Sequence, residues 1–198
     1  MILSFIAFFF ALSLHECAHA WCAYKLGDST AKDAGRVTFN PLAHIDIWGT
    51  VLFPAILVWT HAPIVFGWAK PVPINFWNLR NRRLGMALVG LAGPASNFAS
   101  AILASLALRL FPFSSFPALF LQLFILVNLV LGLFNLIPIP PLDGSRLLIA
   151  VLPPRFRMMF AHLERYGLIV ALVAIVWLGL WDKIIWPAVR FLFRALVG

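Results

Sequence analysis

The sequence has few charged residues for its length. Charged residues make up 11% of the 198 positions and apolar residues 63%. Ordinary soluble domains carry about 25% charged residues and about 45–50% apolar ones. A soluble core of this size could not hide so much apolar surface, so a soluble globular domain is excluded. The composition predicts an all-α polytopic membrane protein.

Cysteine is also scarce, with only Cys17 and Cys22 in the chain. The two residues lie five positions apart in the first apolar segment and therefore do not share a helix face. We expect no disulfide between them and predict that both are small buried apolar side chains.

Acidic residues number seven against 15 lysines and arginines, which gives a net charge of +8. Such an excess raises the question of nucleic-acid binding, but no RNA- or DNA-binding pattern is present. The basic residues instead fall in links between apolar segments, where they orient a membrane protein and meet anionic headgroups. The sequence therefore predicts that the protein's partner is a lipid bilayer and that it binds no nucleic acid.

No lysine or arginine precedes Lys25, so the first apolar segment lacks the basic start of a signal peptide. We predict that it stays as a membrane span. The positive-inside bias then places the N-terminus outside and the Lys25 end inside.

The apolar segments predict about four membrane spans in a single domain covering residues 1–198. The expected spans are about 2–24, 84–110, 118–137 and 167–186, followed by an interfacial amphipathic helix over 184–197. We expect a three-helix catalytic core within about 1–150 and an accessory helix and tail over 151–198. Residues 47–66 are apolar but contain Pro54 and Pro63, which favours a segment near 47–75 that dips into the membrane or is buried.

The first span carries the sequence "HECAH", which places His15 and His19 one helical turn apart. Both imidazoles can reach one Zn²⁺, while Glu16 is rotated by about 100° and need not be a ligand. This HExxH pattern is typical of zinc hydrolases, in which the glutamate takes a proton from water. Polar residues that hold helices together would also explain the pattern, but three ionisable groups inside an apolar helix are expensive without a function.

Two histidines leave a catalytic zinc site one protein ligand short. Asp143, in "NLIPIPPLDG", directly follows the third span and lies near Asn135 in the sequence. An Asp-Gly pair after prolines is often only a turn or a helix N-cap. Its place at the end of a membrane span favours the ligand role for Asp143.

HExxH in a membrane helix, followed by Asn135, Pro138, Asp143 and Gly144 in the spacing N-x-x-P-x-x-x-x-D-G, resembles the site-2 protease family of intramembrane zinc metalloproteases. "GPASN" at 93–97 also resembles the middle core helix of that family. The resemblance covers roughly residues 5–150. It implies one Zn²⁺ per chain. The roles it implies are zinc ligands (His15, His19, Asp143), general base (Glu16) and a residue near the scissile carbonyl (Asn135).

The segment "GWAKPVPIN" at 67–75 resembles the extended re-entrant loop beside the active site of that family. Such a loop can pair with an unwound substrate strand, although a plain surface link is an equal alternative. The expected substrate contacts are Trp68, Lys70, Val72 and Asn97, of which Asn97 also fits a packing or hydrogen-bonding role. The chain has no PDZ domain, so we expect a regulatory membrane partner or a homo-oligomer to control access.

The two motifs can meet only if an even number of membrane crossings separates them. The spans at 84–110 and 118–137 supply two crossings, so residues 47–66 are expected not to cross. This topology places 11 of the 15 basic residues on one side, and it puts the active site toward the cytoplasmic face of the cell membrane.

These patterns predict an intramembrane zinc endopeptidase that cleaves transmembrane or membrane-anchored proteins near the inner leaflet. The alternative is a membrane metal-binding or zinc-transport protein that uses the same three ligands. A transport path needs further ligands toward the outer face, and the sequence shows no second cluster of histidine and aspartate there.

Overall fold

The structure, a computed structural model, describes residues 2–61, 70–153, 166–167, 170–171, 173, 177 and 179–198. Within these residues the regular secondary structure is helical, which confirms the predicted all-α class for this part of the chain. The α-helices are α1 (Ile2–Lys25), α2 (Thr30–Asp33), α3 (Phe53–Trp59), α4 (Arg82–Leu110), α5 (Ser115–Asn135), α6 (Asp143–Val151) and α7 (Trp186–Val197).

Three of these helices, α1, α4 and α5, are long and apolar enough to cross a membrane. They contain 24, 29 and 21 residues. At 1.5 Å per residue each exceeds the hydrocarbon core of about 30 Å. These helices match the first three predicted spans within three residues at each end. Of the fourth predicted span, 167–186, seven residues lie outside the described part of the chain, and in the described part a π-helical turn, Trp181–Ile185, leads into α7.

The helix ends follow from local capping. The Asn81 side chain accepts a hydrogen bond from the Leu84 amide, so α4 begins before the predicted residue 84. Pro117 falls in the first turn of α5, where its missing N–H costs nothing, and α5 therefore begins earlier than predicted. Gly27, with φ +113°, ends the turn that follows α1.

Helix α4 lies at the centre of the described bundle and contacts α1, α5, α6 and α7. Its buried face carries Gly85, Gly90 and Gly93, which allow the neighbouring helices to approach closely. The contact with α6 brings the end of the third span back to α1 and α4, which is the packing that builds the site.

Residues 47–59 do not form a single span-length helix. A π-helical turn, Ile47–Leu52, leads into the short helix α3. The two together measure about 20 Å, less than the bilayer core. Trp48 and Trp59 are exposed, and the expectation that this segment dips into the membrane or is buried stays a prediction. Residues 62–69 of the predicted re-entrant segment lie outside the described residues.

The extended segment 70–75 contacts α1, and the turn that follows it is fixed at the end of that helix. Pro71 and Pro73 prevent helix formation. Val72, which lies between them in the sequence, is buried and packs beside Ala20. The Arg80 amide donates to the carbonyl of Leu26. From residue 70 to residue 75 the segment is not helical, as the prolines predict, and its re-entrant character stays a prediction.

Asp28 holds this turn in place. Its buried carboxylate accepts from the amide and hydroxyl of Thr30, from the Asn75 amide (2.7 Å) and from the Asn78 side chain (3.0 Å). Burial acts to raise the pKa of Asp28, but these hydrogen bonds outweigh it and hold the pKa below its ordinary value.

Helix α7 is amphipathic, as predicted, but it packs onto the bundle. Val189 is fully buried among residues of α4 and α5, while Arg190 and Arg194 face outward. The Ser105 hydroxyl donates to the Leu196 carbonyl at 2.5 Å, and the Arg109 guanidinium donates to the same oxygen at 3.0 Å. These bonds attach the end of α7 to the end of α4.

Candidate metal centre

Three buried side chains bring their metal-binding atoms together between α1 and α6. Nε2 of His15, Nε2 of His19 and Oδ2 of Asp143 lie 3.0 Å apart in every pairing. Within the described residues these three form a group that could hold one metal ion. The structure thus brings together the three residues predicted as ligands.

The histidines come from one face of α1. Their four-residue spacing brings the two rings together edge to face, with centroids 4.6 Å apart and planes at 84°. Asp143 is the first residue of α6, which begins after the turn that ends α5. A Cβ on Gly144 would lie 2.2 Å from the Leu136 carbonyl oxygen, so only glycine allows this turn to fold back tightly enough.

The partners of the two Nδ1 atoms determine which ring nitrogen of each histidine carries the proton. Nδ1 of His19 lies 2.7 Å from the carbonyl oxygen of Val89, which can only accept a hydrogen bond. Nδ1 of His15 lies 2.6 Å from Oδ1 of Asn97. Both Nδ1 atoms therefore carry the proton, and both Nε2 atoms present a lone pair to Asp143.

This donor set fits a zinc ion. Two imidazole lone pairs and a carboxylate oxygen have no proton to share among themselves, so a cation stabilises the arrangement. In a tetrahedral site with bonds of about 2.0–2.1 Å, ligand atoms lie about 3.3 Å apart, close to the separation of these atoms. Gly93 keeps the space clear, since a Cβ there would lie 2.4 Å from Nε2 of His19.

Glu16 is not part of the group formed by the three donor atoms. One of its carboxylate oxygens, Oε2, accepts a hydrogen bond of 3.3 Å from the amide of Val72. Glu16 is half-buried, in contrast to the buried His15 and His19 on either side. The carboxylate thus lies where α1 meets the segment 70–75.

Asn135 and Asn97 occupy different environments. The Asn135 amide group donates to the Leu131 carbonyl of its own helix at 3.0 Å. Asn97 is fully buried, and its Oδ1 and Nδ2 atoms are both engaged inside the protein. These contacts match the hydrogen-bonding role expected for Asn97, and the substrate contact stays a prediction.

The remaining predicted substrate contacts lie on the segment beside α1. The Lys70 amide donates to the His44 carbonyl at 3.0 Å, and its side chain is exposed. The side chain of Val72 is buried, so only its backbone faces Glu16. Trp68 lies outside the described residues.

Two side chains near the cluster were not identified from the sequence. Arg146 places a guanidinium nitrogen 3.5 Å from Oδ1 of Asp143, the oxygen that faces away from the histidines. Asn128 is fully buried in α5 and accepts a hydrogen bond from Asn97. The signal for Asn128 was available, since an amide in the middle of so apolar a span requires a polar partner.

Comparison with known proteins agrees with this site. Residues 113–178 match the model described as "Peptidase family M50". "Putative zinc metalloprotease YwhC" of Bacillus subtilis is 42% identical over 186 residues, which cover 89% of this chain and 81% of the relative. "Putative zinc metalloprotease Rip2" of Mycolicibacterium smegmatis is 29% identical over 183 residues, covering 88% of this chain and 67% of the relative.

A more distant relative is "Zinc metalloprotease MJ0392" of Methanocaldococcus jannaschii. It is 26% identical over 152 residues, which cover 77% of this chain and 35% of the relative. No solved structure matches the chain.

The span-length helices and these relatives define a zinc metalloprotease of the membrane-embedded class. The chain belongs to peptidase family M50, the site-2 protease family, so the resemblance read from the two motifs is confirmed. The predicted zinc cofactor and peptidase activity are confirmed with it, against the alternative of a metal transporter.

Proposed function

We propose that this protein is an intramembrane endopeptidase that hydrolyses peptide bonds of transmembrane or membrane-anchored proteins near the cytoplasmic leaflet. The observation that carries the proposal is the buried group of His15, His19 and Asp143 between helices long enough to cross a bilayer. Lys25 follows His19 by six positions, so His19 lies about 9 Å along the helix axis from the basic end of α1. A peptide bond cleaved there belongs to a segment within the membrane.

In this proposal His15, His19 and Asp143 hold the zinc. When bound, zinc supplies Lewis-acid chemistry, which polarises a peptide carbonyl and makes water a sufficient nucleophile near neutral pH. The Nδ1 bonds to Asn97 and Val89 hold both imidazoles in the tautomer that can bind a metal.

Glu16 is the general base of the proposed reaction. It lies on the same helix as the two histidines but outside the ligand group, which is where a base must lie to act on water. It takes a proton from water and passes it to the leaving amine. The Val72 amide, which donates to Oε2, holds the carboxylate in position and leaves Oε1 free for this transfer.

The segment 70–75 is the proposed substrate platform. Lys70, Pro71 and Pro73 are exposed on both sides of the buried Val72, so the carbonyls of this stretch form an accessible backbone edge, to which the two prolines contribute no N–H. An unwound substrate strand can pair with such an edge. We further propose that Asn135, at the end of α5, contacts the substrate carbonyl with the N–H that does not bind Leu131.

Glu16→Gln tests the proposal, because it removes the base while keeping the size of the side chain. Wild type and variant are each co-expressed with single-span membrane proteins, and shortened products are sought by immunoblot. We expect cleavage only with wild type and equal zinc contents in both purified proteins. Cleavage by Glu16→Gln would overturn the role of the base.

Asp33→Asn provides a matched control. Asp33 is an exposed acidic residue on α2, and we expect its variant to cleave as wild type does. A zinc-flux measurement in sealed vesicles addresses the transport alternative directly. Flux through wild type and no cleavage of any substrate would contradict the proposed endopeptidase.

A further inference from the structure

We propose that Asn128, through Asn97, is a positioning residue that sets the tautomer of His15 and thereby the affinity of the zinc site. This inference deepens the proposed function and rests on the ligand role of His15. It assigns to α5, which contributes no ligand to the donor group, a part in preparing the metal site.

The hydrogen bonds of Asn128 and Asn97 can run in only one donor-to-acceptor direction. The carbonyl oxygen of Phe124 can only accept, so the Asn128 group that lies 2.8 Å away must be its NH₂. The other end of that amide, Oδ1, therefore accepts. It lies 2.8 Å from Nδ2 of Asn97, which donates.

The orientation of the Asn97 amide in turn determines the tautomer of His15. With Nδ2 of Asn97 donating, its Oδ1 must accept, and it lies 2.6 Å from Nδ1 of His15. Nδ1 therefore keeps the proton, and Nε2 offers its lone pair to the group that includes Asp143. A backbone carbonyl on α5 thus determines, through two amides, which nitrogen of a helix α1 side chain can bind metal.

Burial makes it costly to flip the side-chain amide of Asn97 or Asn128. Asn97 and Asn128 are both fully buried, so no solvent competes for their hydrogen bonds. Nδ2 of Asn97 also donates to the Ala11 carbonyl at 3.3 Å, a longer bond with the same polarity. Flipping either amide would place like groups against each other at several contacts, which is costly in a buried site.

The two histidine ligands differ in the kind of group that accepts the hydrogen bond from Nδ1. Nδ1 of His19 donates to the backbone carbonyl of Val89, which no substitution removes. His15 depends on two side chains instead. Loss of the Asn128 amide should therefore affect His15 and leave the tautomer of His19 unchanged, which gives the test an internal control.

Asn128→Leu and Asn128→Asp form a matched pair of similar size. Leucine removes both hydrogen-bonding groups, whereas a buried, protonated carboxyl can donate to Phe124 and accept from Asn97 as the amide does. Zinc affinity is measured by competition with a chelator in purified protein. The imidazole ¹⁵N shifts of metal-free protein report the tautomers of His15 and His19.

We expect Asn128→Leu to weaken zinc binding about threefold to tenfold, somewhat less than the loss of a direct partner of a ligand. We also expect it to raise the fraction of His15 protonated on Nε2, without changing His19. Asn128→Asp should keep zinc affinity within about twofold of wild type or tighter.

Equal zinc affinities and equal His15 tautomers in wild type and Asn128→Leu would overturn the inference. A shift of both histidines together would also overturn it, because that result indicates a general loosening of the bundle. If wild type itself binds no zinc at His15, the proposed ligand set fails instead, and the two failures are thus distinguished.

Discussion

Gly93 of α4 lies directly against His19 of α1. A Cβ at Gly93 would stand 2.4 Å from Nε2 of His19 and 2.6 Å from Nε2 of His15. No side chain atom fits at such distances, so the two helices can carry this metal centre only while position 93 has no side chain.

We therefore predict that Gly93→Ala destroys the metal site. The added methyl group would displace the imidazoles from Asp143, and we expect zinc affinity to fall about tenfold or more. The measurement is the zinc content of purified protein, together with cleavage of a membrane substrate.

The control for this variant is Gly132→Ala in α5. A Cβ there would lie 3.1 Å from the Phe98 ring, which can move by a few tenths of an ångström, and 3.4 Å from Cβ of Asn97, which is an ordinary contact distance. We expect normal zinc content for it. Normal zinc content in Gly93→Ala as well would contradict the close packing at the site.

We predict that Val72→Pro lowers cleavage about threefold to tenfold while zinc binding is kept. The substitution removes the N–H that holds Oε2 of Glu16, but it leaves His15, His19 and Asp143 intact. The measurement compares cleavage rate and zinc content in the same preparation. Val72→Ala keeps the N–H and shortens the side chain, so cleavage equally reduced in both variants would assign the effect to packing.

We predict that Asp28→Asn destabilises the protein by about 1–3 kcal/mol at neutral pH. Both carboxylate oxygens accept hydrogen bonds, and an amide would turn an NH₂ group toward one of the donors. The midpoint of thermal unfolding in detergent is the measurement. A midpoint equal to that of wild type would show that the turn at 75–78 is held by other contacts.

The same carboxylate predicts a pH dependence. Because its pKa is lowered in the folded state, its contribution to stability is fully present above the ordinary aspartate pKa of about 3.9. It is lost as the pH falls through the folded-state value, where Asp28 becomes protonated. We expect the loss of stability in acid to be smaller in Asp28→Asn than in wild type, as measured by unfolding midpoints across the acid range.

We predict that Ser105→Ala loosens the attachment of α7. The hydroxyl donates to the Leu196 carbonyl at 2.5 Å, and its loss should cost about 1 kcal/mol. For a chain of this length that cost lowers the unfolding midpoint by about 2–4 °C. Arg190→Gln changes the exposed face of the same helix and should leave the midpoint unchanged, so equal falls in both variants would argue against a specific attachment.

The sequence predicted the ligand group because its chemistry is local and its motifs are distinctive. HExxH fixes two side chains on one helix face, and Asp143 follows directly on a membrane span, near Asn135 in the sequence. The partners of the histidines were not predictable in the same way. Asn128 and Asn97 meet across two helices, and nothing in the sequence states which faces of α4 and α5 are opposed.

Other features were missed for a similar reason. The hydrogen bonds of Asp28 were not predicted, because its four donors come from a segment about fifty residues later and from its own turn. The packing of α7 against α4 and α5 was not predicted either, since an amphipathic pattern does not distinguish a lipid surface from the apolar faces of other helices. Long-range packing decided each of these cases.

The separation of the donors along the chain has a consequence for biosynthesis. His19 and Asp143 are 124 positions apart, so the ribosome makes both histidines long before the aspartate that completes their group. The two intervening helices α4 and α5 must be synthesised before α6 can reach α1. A nascent chain inserted up to α5 therefore carries the two histidines without Asp143, and the three donor atoms can meet only after α6 has been made.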